Sequence, residues 1–391
     1  MRQQVRSDRA LMWTALILVL IGMLTVYTAS AWFAQTNLGG SHELLKRNAF
    51  RVVLGLVALF AAYAIDYRVY QRHARKAILL AIGLLAATLL FGQVYRGTRG
   101  ALMGIQPGEI AKLALVVYLA DVLSRRREEL RSFLYGLLPR LILVGVVVGL
   151  VLLQPDFGSA LAIVILAFVM LFLAGARLLH LTGLGAAAAG VAALAVREVG
   201  HIADRVAVWR SVGDLSLEGV DTRGAAYQIH QSLIALGSGG LTGRGIGGSL
   251  QRAFIPDSYT DFAFSIWAEE LGFIGAVVLV GVFVFLMLRG LRIARRAPDL
   301  YSSLLASGLT AMVTVYAAIN IGVATALIPT TGLPLPFVSY GGSSLVVNMA
   351  AIGILINMTK RRDMRASAPS AMARRWRDEG TGVRSSKRKG T

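Results

Sequence analysis

The sequence predicts an all-α polytopic membrane protein, and two observations lead to that prediction. Of the 391 residues, 56% are hydrophobic, and the mean hydropathy is +0.64. A soluble domain could not bury that much apolar surface, so a lipid bilayer is the expected solvent. In addition, apolar runs of about membrane length recur along most of the chain, separated mainly by short polar segments.

Ten of these runs are long enough to be transmembrane helices. In chain order they cover about 11–33, 48–65, 77–92, 105–123, 137–153, 157–175, 178–196, 261–288, 301–324 and 340–358. The longest segment between them, 197–260, is expected to form a large loop between helices 7 and 8. The runs make up one membrane domain, 11–360, between a short N-terminal segment, 1–10, and a basic tail, 361–391, that is expected to be disordered.

The basic residues predict how these helices are oriented. With the N-terminus placed inside, 28 of the 40 Lys and Arg residues fall in inside segments and 10 in outside segments. Because short cytoplasmic loops are enriched in Lys and Arg, both termini are predicted to be cytoplasmic and 197–260 extracytoplasmic. The first run also resembles a secretory signal ending at Ala29-Ser30-Ala31, but it is long for one, so an uncleaved helix is expected.

Composition argues against several other classes of protein. The net charge of +19 could indicate nucleic-acid binding, but the basic residues are spread over many short loops and no recognition motif is visible. The chain has no cysteine, which excludes disulfides and thiolate metal sites. Its five histidines have no metal-ligand spacing. A metal held by carboxylates is not excluded.

Five ionisable residues interrupt the predicted spans, namely Arg51, Glu109, Lys112, Glu269 and Glu270. Exposed to lipid, they would together cost roughly 10 kcal/mol or more, so they are expected to face the bundle interior or a wet cavity. Glu109 and Lys112 are three residues apart and could pair on one helix. Glu269, Glu270 and Arg51 are expected to form structural ion pairs.

A further acid, Asp261, follows Thr260 where the eighth span begins. Its position alone suits a residue that caps the helix, which is an ordinary role for aspartate. The alternative is a functional carboxylate at the outer mouth of the bundle. The residues around Asp261 leave both interpretations open.

The outer loop contains the glycine-rich stretch GSGGLTGRGIGGS, residues 237–249. It fits G-x-G-x-x-G, but the 64 residues of segment 197–260 cannot supply the βαβ unit that a dinucleotide site needs. Two interpretations remain. The stretch could be a plain flexible loop, or its free backbone N–H groups, with Arg244 and Arg252 nearby, could bind an anion such as pyrophosphate.

A second outer segment, between the last two spans, is rich in proline and glycine. It holds Pro329, Pro334 and Pro336, followed by SYGGSS at 339–344. Proline stiffens a loop and glycine allows another chain to come close, so this segment is expected to form a rigid wall at the outer mouth.

Several motifs in register resemble the SEDS family (shape, elongation, division and sporulation), ten-span bacterial proteins that polymerise peptidoglycan glycan strands. The resemblance covers about residues 11–360. The matching segments are Gln106-Pro-Gly-Glu109 with Lys112, Ala226-Tyr-Gln-Ile-His-Gln-Ser232, Gly237-Ser-Gly-Gly-Leu-x-Gly-x-Gly245, Thr260-Asp261-Phe, Glu269-Glu-Leu-Gly272, Asn320-Ile-Gly, Pro329-x-x-Gly-Leu-Pro-Leu-Pro336 and Ser339-Tyr-Gly-Gly-Ser-Ser344.

The match favours one branch of the family and departs from its pattern in places. The proline-rich segment and the loop 289–298 resemble the division branch (FtsW) more than the elongation branch (RodA). Gly108 stands where the family usually has Ser, and Tyr259 where it has His. The hairpin before Gln106 looks about three residues shorter than usual.

The resemblance implies that the chain joins lipid II to a growing strand on undecaprenyl pyrophosphate, at the outer face of the bacterial cytoplasmic membrane. Asp261 matches the family's proposed catalytic aspartate and would be the general base. Glu109 would line the cavity as an ion ligand or as the partner of Lys112. Candidates for substrate binding are Arg205, Arg210, Arg244, Arg252, Lys112, Gln228, Gln231 and Ser343.

The resemblance also implies partners and leaves alternatives open. The implied partner is a class B penicillin-binding protein, a transpeptidase, together with other division proteins and membrane lipids but no nucleic acid. No cofactor is certain, although a divalent cation such as Mg²⁺ or Mn²⁺ could help to hold the diphosphate. One alternative is a lipid II flippase, since intramembrane charges in a polar cavity are equally expected in a transporter. The other is a scaffold without catalysis that recruits a division partner.

Overall fold

The computed structural model describes residues 8–37, 42–95, 98–102, 104–125, 128–211 and 224–359. Its helices are α1 (Arg9–Asn37), α2 (His42–Ala64), α3 (Tyr67–Phe91), α4 (Pro107–Arg125), α5 (Leu138–Leu152), α6 (Phe157–Leu173), α7 (Leu178–Glu198), α8 (Gly200–Ser211), α9 (Ala225–Ser238), α10 (Ala263–Arg295), α11 (Leu300–Ala324) and α12 (Gly342–Thr359). A 3₁₀ turn, Glu128–Arg131, and a π-helical turn, Phe133–Leu137, lead into α5.

Within these described ranges, seven helices are long and apolar enough to cross a membrane. They are α1, α3, α5 with its preceding turn, α7, α10, α11 and α12. Helix α6 is apolar but has 17 residues, and α2 and α4 carry charged side chains among their apolar ones. The chain is therefore a polytopic helical membrane protein, and the count of ten crossings stays a prediction.

Several helices extend beyond the predicted spans. Helix α3 begins at Tyr67 rather than near residue 77, with Asp66 as its side-chain cap, and α10 ends at Arg295 rather than near residue 288. The additional turns are rich in Arg and Lys, which end an apolar run although both are good helix formers. The predicted inside segments 66–76 and 289–299 are consequently mostly helical rather than loops.

Helix α11 lies at the centre of the bundle, where it packs against α4, α6 and α10. Most of its residues are buried, whereas α7 exposes nearly its whole span. Gly308 helps α11 to pack closely against α4, because an added Cβ at this position would lie 2.7 Å from the Val116 side chain of α4. Small residues at a helix interface allow two backbones to approach closely.

Helix α1 is part of the bundle. Leu11, Ala15 and Leu18 are fully buried, and Asp8 just before the helix pairs with Arg289 of α10 at 2.6 Å. This packing fits the expected uncleaved helix better than a removable signal segment. Residues 1–7 and the predicted tail, 361–391, lie outside the described residues.

The segments on the predicted outer side are partly helical. A short antiparallel hairpin, β1 (Gln93–Tyr95) and β2 (Thr98–Ala101), precedes α4. The predicted loop 197–260 contains α8, α9 and a 3₁₀ turn, Gln251–Ala253, and its residues 212–223 lie outside the described part of the chain.

Helix α10 is broken at Gly272, which has φ of 68° and ψ of −167°. Essentially only glycine adopts this conformation, so the predicted continuous span from Phe262 onward is wrong at this point. Four reciprocal hydrogen bonds to the glycine-rich loop fill the gap. The carbonyls of residues 269 and 270 accept from the N–H groups of 244 and 245, while the N–H groups of 273 and 274 donate to the carbonyls of 240 and 241.

Candidate active site

Asp261 lies in the turn before α10 and is partly exposed. The helix begins at Ala263, and its N-cap position is held by Phe262, without a side-chain capping bond. Asp261 therefore precedes the N-cap position rather than occupying it. Instead, the side-chain amide of Asn320 in α11 donates to the carbonyls of Asp261 (2.8 Å) and Leu333 (2.7 Å), which fixes the main chain of Asp261.

The proline-rich segment before α12 runs past the carboxylate of Asp261. A Cβ added to Gly332 would lie 3.9 Å from Asp261 Oδ2. The adjacent carbonyl of Thr331 rests on Gly158 in the first turn of α6, where an added Cβ would approach to 2.2 Å. The segment thus forms a wall beside Asp261 that is packed tightly against a second helix.

Helix α8 is tied to the same wall by two side chains. Arg205 Nη1 donates to the carbonyl of Thr330 at 3.3 Å, and the indole N–H of Trp209 donates to the carbonyl of Ala326 at 2.8 Å. Arg205 is therefore brought close to the wall, while Arg210, in the last turn of α8, is exposed.

Two tyrosines and an arginine extend the wall. The N–H of Tyr340 donates to the carbonyl of Tyr259 at 2.9 Å, and their rings meet edge to face with centroids 5.6 Å apart. Arg51 of α2 was expected in an ion pair, but it lies over the Tyr340 ring, 4.1 Å from its centroid. This cation–π contact keeps a charged group within the bundle.

The N-terminal end of α12 also contacts the turn before α4. The hydroxyl of Ser343, a predicted substrate-binding residue, accepts a hydrogen bond from the N–H of Gln106 at 2.9 Å. This bond connects two of the sequence segments that carry the family resemblance.

Lys112 and Glu109 form a buried pair on α4. Lys112 Nζ lies 2.7 Å from Glu109 Oε2 and 3.6 Å from the centre of the Tyr316 ring. Tyr316 precedes Asn320 by four residues on α11, so their side chains lie on the same helix face. A buried ammonium group is thereby placed about one helical turn from the residue that holds Asp261.

Helix α9 approaches the first turns of α10. The buried hydroxyl of Ser232 lies 2.6 Å from Ser265 Oγ and donates to the carbonyl of Ala324 at 2.7 Å. Gln228 and Gln231, predicted to bind substrate, are carried on this helix and are partly exposed.

Glu269 is fully buried and heavily hydrogen-bonded. Its carboxylate accepts from the hydroxyls of Ser249 (2.5 Å) and Ser238 (3.2 Å) and from the N–H groups of Leu250 (3.1 Å) and Gln251 (3.2 Å). The expected internal pairing of Glu269 is therefore made mainly of hydrogen bonds, and its ion pair with Nε of Arg244 is long at 3.9 Å.

Glu270 is held by a different set of groups. Its carboxylate accepts from the hydroxyl of Thr28 in α1 at 3.1 Å and from the N–H of Gly247. Arg252, close enough to attract Glu270 electrostatically, donates from Nη1 to the carbonyl of Thr28 at 3.3 Å. Both glutamates thus fasten the glycine-rich loop to the bundle.

These bonds use most of the N–H groups that the glycine-rich loop was predicted to offer to a substrate anion. The N–H groups of residues 243, 244, 245, 247, 248, 250, 251 and 252 all have partners within the protein. The loop does bind anions, but they are the protein's own carboxylates. Nor is it a plain flexible loop, because it completes the hydrogen bonds of a broken helix.

Arg244 lies at this break rather than beside Asp261. Gly272 is about 16–17 Å from Asp261 at 1.5 Å per residue along the helix, roughly half the thickness of the hydrocarbon core. Of the four predicted outer arginines, Arg205 is the one that the described contacts place on the wall next to Asp261.

The described residues contain no group of three or more His, Asp or Glu side chains that could hold a metal ion. A divalent cation bound with the diphosphate stays a prediction.

Sequence reasoning missed three features of this site. They are the clamp by Asn320, the Tyr316 ring against Lys112, and the helix break at Gly272. Asn320 and Gly272 lie in motifs that carry the family resemblance, and Tyr316 lies one turn before Asn320. Periodicity alone could not show which side chains these residues would meet.

Comparison with known proteins gives a consistent result across the chain. Residues 9–364 match the family described as cell cycle proteins, which groups FtsW, RodA and SpoVE. The stage V sporulation protein E of Bacillus subtilis is 37% identical over 364 residues, covering 90% of this chain and 97% of that protein. A probable peptidoglycan glycosyltransferase FtsW of Geobacter metallireducens is 35% identical, covering 91% and 95%.

Solved structures show the same fold. A chain of a peptidoglycan synthase complex that coordinates polymerization and crosslinking superposes with a TM-score of 0.74 at 31% identity, covering 91% of this chain and 98% of that one. The rod shape determining protein RodA of Thermus thermophilus gives a TM-score of 0.68 at 30% identity, covering 92% and 98%.

Proposed function

The chain belongs to the FtsW/RodA/SpoVE family of cell cycle proteins, and we propose that this peptidoglycan glycosyltransferase polymerises lipid II at the outer face of the cytoplasmic membrane, with Asp261 as general base. The observation that carries the proposal is the fixed position of Asp261. Asn320 holds its main chain, the proline-rich wall flanks its carboxylate, and the buried ammonium group of Lys112 contacts Tyr316, one helical turn before Asn320.

The reaction needs a base and a site for the leaving group. The 4-hydroxyl of the N-acetylglucosamine of lipid II attacks the anomeric carbon of the growing strand, and its proton passes to the carboxylate of Asp261. The bond from that carbon to the undecaprenyl pyrophosphate oxygen breaks at the same time. Positioned proton transfer and stabilisation of the departing charge are the two main means of lowering such a barrier.

Arg205 and Lys112 are the cations best placed to stabilise the departing diphosphate. Arg205 is anchored on the wall through Thr330, and Lys112 is buried against Tyr316. In surroundings that exclude water, a fixed positive charge stabilises an anion more than it would in solvent. Arg210 and Arg252, Gln228, Gln231 and Ser343 remain candidates for contacts with the sugar and peptide parts.

The proposed topology follows from the distribution of basic residues. Ten helices, α1–α7 and α10–α12, cross the membrane, both termini are cytoplasmic, and 197–260 is the large extracytoplasmic loop. The similarity to a chain of a synthase complex supports a class B penicillin-binding protein as the partner. The matches to proteins named FtsW support a role in septal synthesis with other division proteins.

The direct test of this function is polymerisation of lipid II by the purified chain in detergent, with and without the transpeptidase. A flippase only moves lipid II from one side of the membrane to the other. In detergent there are no two sides, so a flippase would produce no polymer. A scaffold would produce none either, because it lacks chemistry of its own. We expect glycan strands in gel analysis, and their absence under both conditions would rule out the proposal.

A further inference from the structure

A groove unconnected with Asp261 lies between α3, α4 and α5 at the opposite end of the bundle. It consists of two cavities of about 360 and 250 Å³ that share Arg75 as a lining residue. We call this the inner groove. It is lined at one end by Arg72, Arg75 and Arg125 and along its length by Ile78, Tyr118 and Leu143. It lies near the C-terminal end of α4, whereas Lys112 lies near the N-terminal end.

The inner groove becomes less polar along its length. On α3, the residues 71, 72, 75, 78 and 79 recur at helical spacing on one face and change from polar to apolar along the helix. On α4, which runs alongside, Arg125 and Asp121 lie at the polar end, followed by Val122 and Tyr118. A groove with charge at one end and an apolar floor matches an amphiphile with an anionic head.

The polar end carries more positive charge than its acids neutralise. Asp121 is engaged by Arg125 Nε at 2.7 Å and by Gln71 Nε2 at 3.0 Å. Within the described part of the chain, no carboxylate pairs with the exposed Arg72 or Arg75. Two guanidinium groups three residues apart on one helix face are thus available to one ligand.

A buried arginine with unused hydrogen-bonding capacity lines the same groove. Arg140 of α5 is 4% exposed, and its Nη2 donates to Glu129 Oε2 at 3.3 Å. Its Nε is buried and has no hydrogen-bond partner among the described residues. A buried N–H group left without a partner is costly, so a ligand acceptor in the groove would stabilise it.

We propose that the inner groove binds an anionic phospholipid, with the phosphate at Arg72, Arg75 and Arg140 and an acyl chain along Leu79 and Leu143. Basic pockets between transmembrane helices are suited to such head groups. The distribution of basic residues predicts that this end of the bundle faces the cytoplasm, so the inner groove is expected to lie in the inner leaflet. A free phosphate ion would use the arginines but would leave the apolar floor uncovered, which is why we assign a lipid.

The test measures lipid binding by the purified full-length chain in detergent. Phosphatidylglycerol, phosphatidylcholine and inorganic phosphate are titrated separately, with thermal stabilisation and native mass spectrometry as readouts. The test variant combines Arg72→Gln and Arg75→Gln, since both side chains are exposed and the change should leave the fold intact. Arg296→Gln is the matched control, because Arg296 is also exposed and lies just after α10.

We expect phosphatidylglycerol to bind the wild type and the Arg296→Gln variant equally. The double variant should bind it about tenfold or more weakly, since each basic residue near a charged lipid surface contributes about 1 kcal/mol. Equal binding by wild type and double variant would overturn the proposal. Binding of inorganic phosphate but not of lipid would show a free-anion site instead, and equal affinity for phosphatidylcholine would show an apolar groove without head-group recognition.

Discussion

Asp261 and Glu269 are eight residues apart in the chain but have different surroundings. Asp261 is partly exposed, and the described contact that fixes it, from Asn320, acts on its main chain. Glu269 is fully buried, and its two oxygens accept four hydrogen bonds. A fully buried carboxylate that accepts four hydrogen bonds suits a structural role, whereas the partly exposed Asp261 lies where a substrate hydroxyl can reach it.

Replacing Glu269 by Gln should destabilise the protein more than replacing Glu270 by Gln. The Glu269 change puts an NH₂ group, which cannot accept hydrogen bonds, opposite N–H and hydroxyl donors in a fully buried site. We expect a loss on the order of 3 kcal/mol. Glu270 has fewer described hydrogen-bond partners, so its replacement by Gln should cost less stability. Thermal unfolding of the two purified variants in detergent measures the difference.

One result for these two variants would contradict the structural role proposed for the glutamates. If Glu269→Gln unfolded at the wild-type temperature but lost polymerisation, Glu269 would belong to the chemistry rather than to the support of the loop. The same result for Glu270→Gln would reverse its structural assignment as well.

At the level of elements, the break in α10 and the glycine-rich loop form one unit. The break frees two carbonyls and two N–H groups of α10, and the loop supplies the matching partners. Broken helices occur within membranes where the freed groups find partners in protein. Glycine is required on both sides, because an added Cβ on Gly243 would approach the carbonyl of Glu270 to 2.2 Å.

The substitution Gly272→Ala should therefore be strongly destabilising. Alanine at φ of 68° and ψ of −167° is strained, and its Cβ would approach the N–H nitrogen of Gly243 to 2.4 Å. We expect a cost of at least about 2–3 kcal/mol from the backbone conformation and the displaced loop. The melting temperature in detergent and the yield of monodisperse protein would report it.

Gly281→Ala is the control for that change. Gly281 lies nine residues further along the same helix and has open space around its Cα, so alanine there should be neutral or mildly stabilising. Equal stability of both variants would mean that α10 can run straight through residue 272.

The sequence was most informative about elements and least informative about their contacts. Apolar runs predicted the positions of the long helices because burial in lipid demands them over about 20 residues. Glycine in Glu-Glu-Leu-Gly272 gave no sign of a break, since glycine is common in membrane helices. Several N–H groups of the loop donate to carbonyls of α10, which lies about 25 residues further along the chain. Because a local pattern does not show such contacts, the sequence could not decide whether these groups were free to bind an anion.

For the candidate site, too, the sequence predicted residues but not their contacts. Asp261 was singled out because its motif matches a family, not because its local pattern differs from that of a cap. Its clamp by Asn320 joins residues 59 positions apart, and the wall joins it to Gly332. The predicted outer arginines were grouped by their segment alone, and the fold separates Arg205, on the wall, from Arg244, at the helix break.

In the whole molecule, the two ends of the bundle have different proposed tasks. The end with Asp261, Arg205 and the proline-rich wall is proposed to face outward and handle lipid-linked sugars. The end with the inner groove and most of the basic segments is proposed to face the cytoplasm. Both assignments depend on the orientation predicted from 28 basic residues inside against 10 outside.

Single cysteines can test that orientation cleanly because the chain has none of its own. Ala253→Cys, in the exposed 3₁₀ turn of the large loop, should react with a membrane-impermeant maleimide in intact spheroplasts. Lys76→Cys, exposed on α3, should react only after the membrane is opened. The reverse pattern would invert the topology and place Asp261 on the wrong side for lipid-linked strands.

The rate of lipid II polymerisation by purified Asp261→Asn protein is the measurement that bears most directly on the catalytic claim. Asp257→Asn is the matched control, with the same chemical change four residues earlier at a φ of 52° that asparagine tolerates. For Asp261→Asn we predict at least a 100-fold lower polymerisation rate, about the contribution of a general base, with an unchanged melting temperature. For Asp257→Asn we predict a polymerisation rate near that of the wild type. A folded Asp261→Asn protein that polymerised at the wild-type rate would contradict the account.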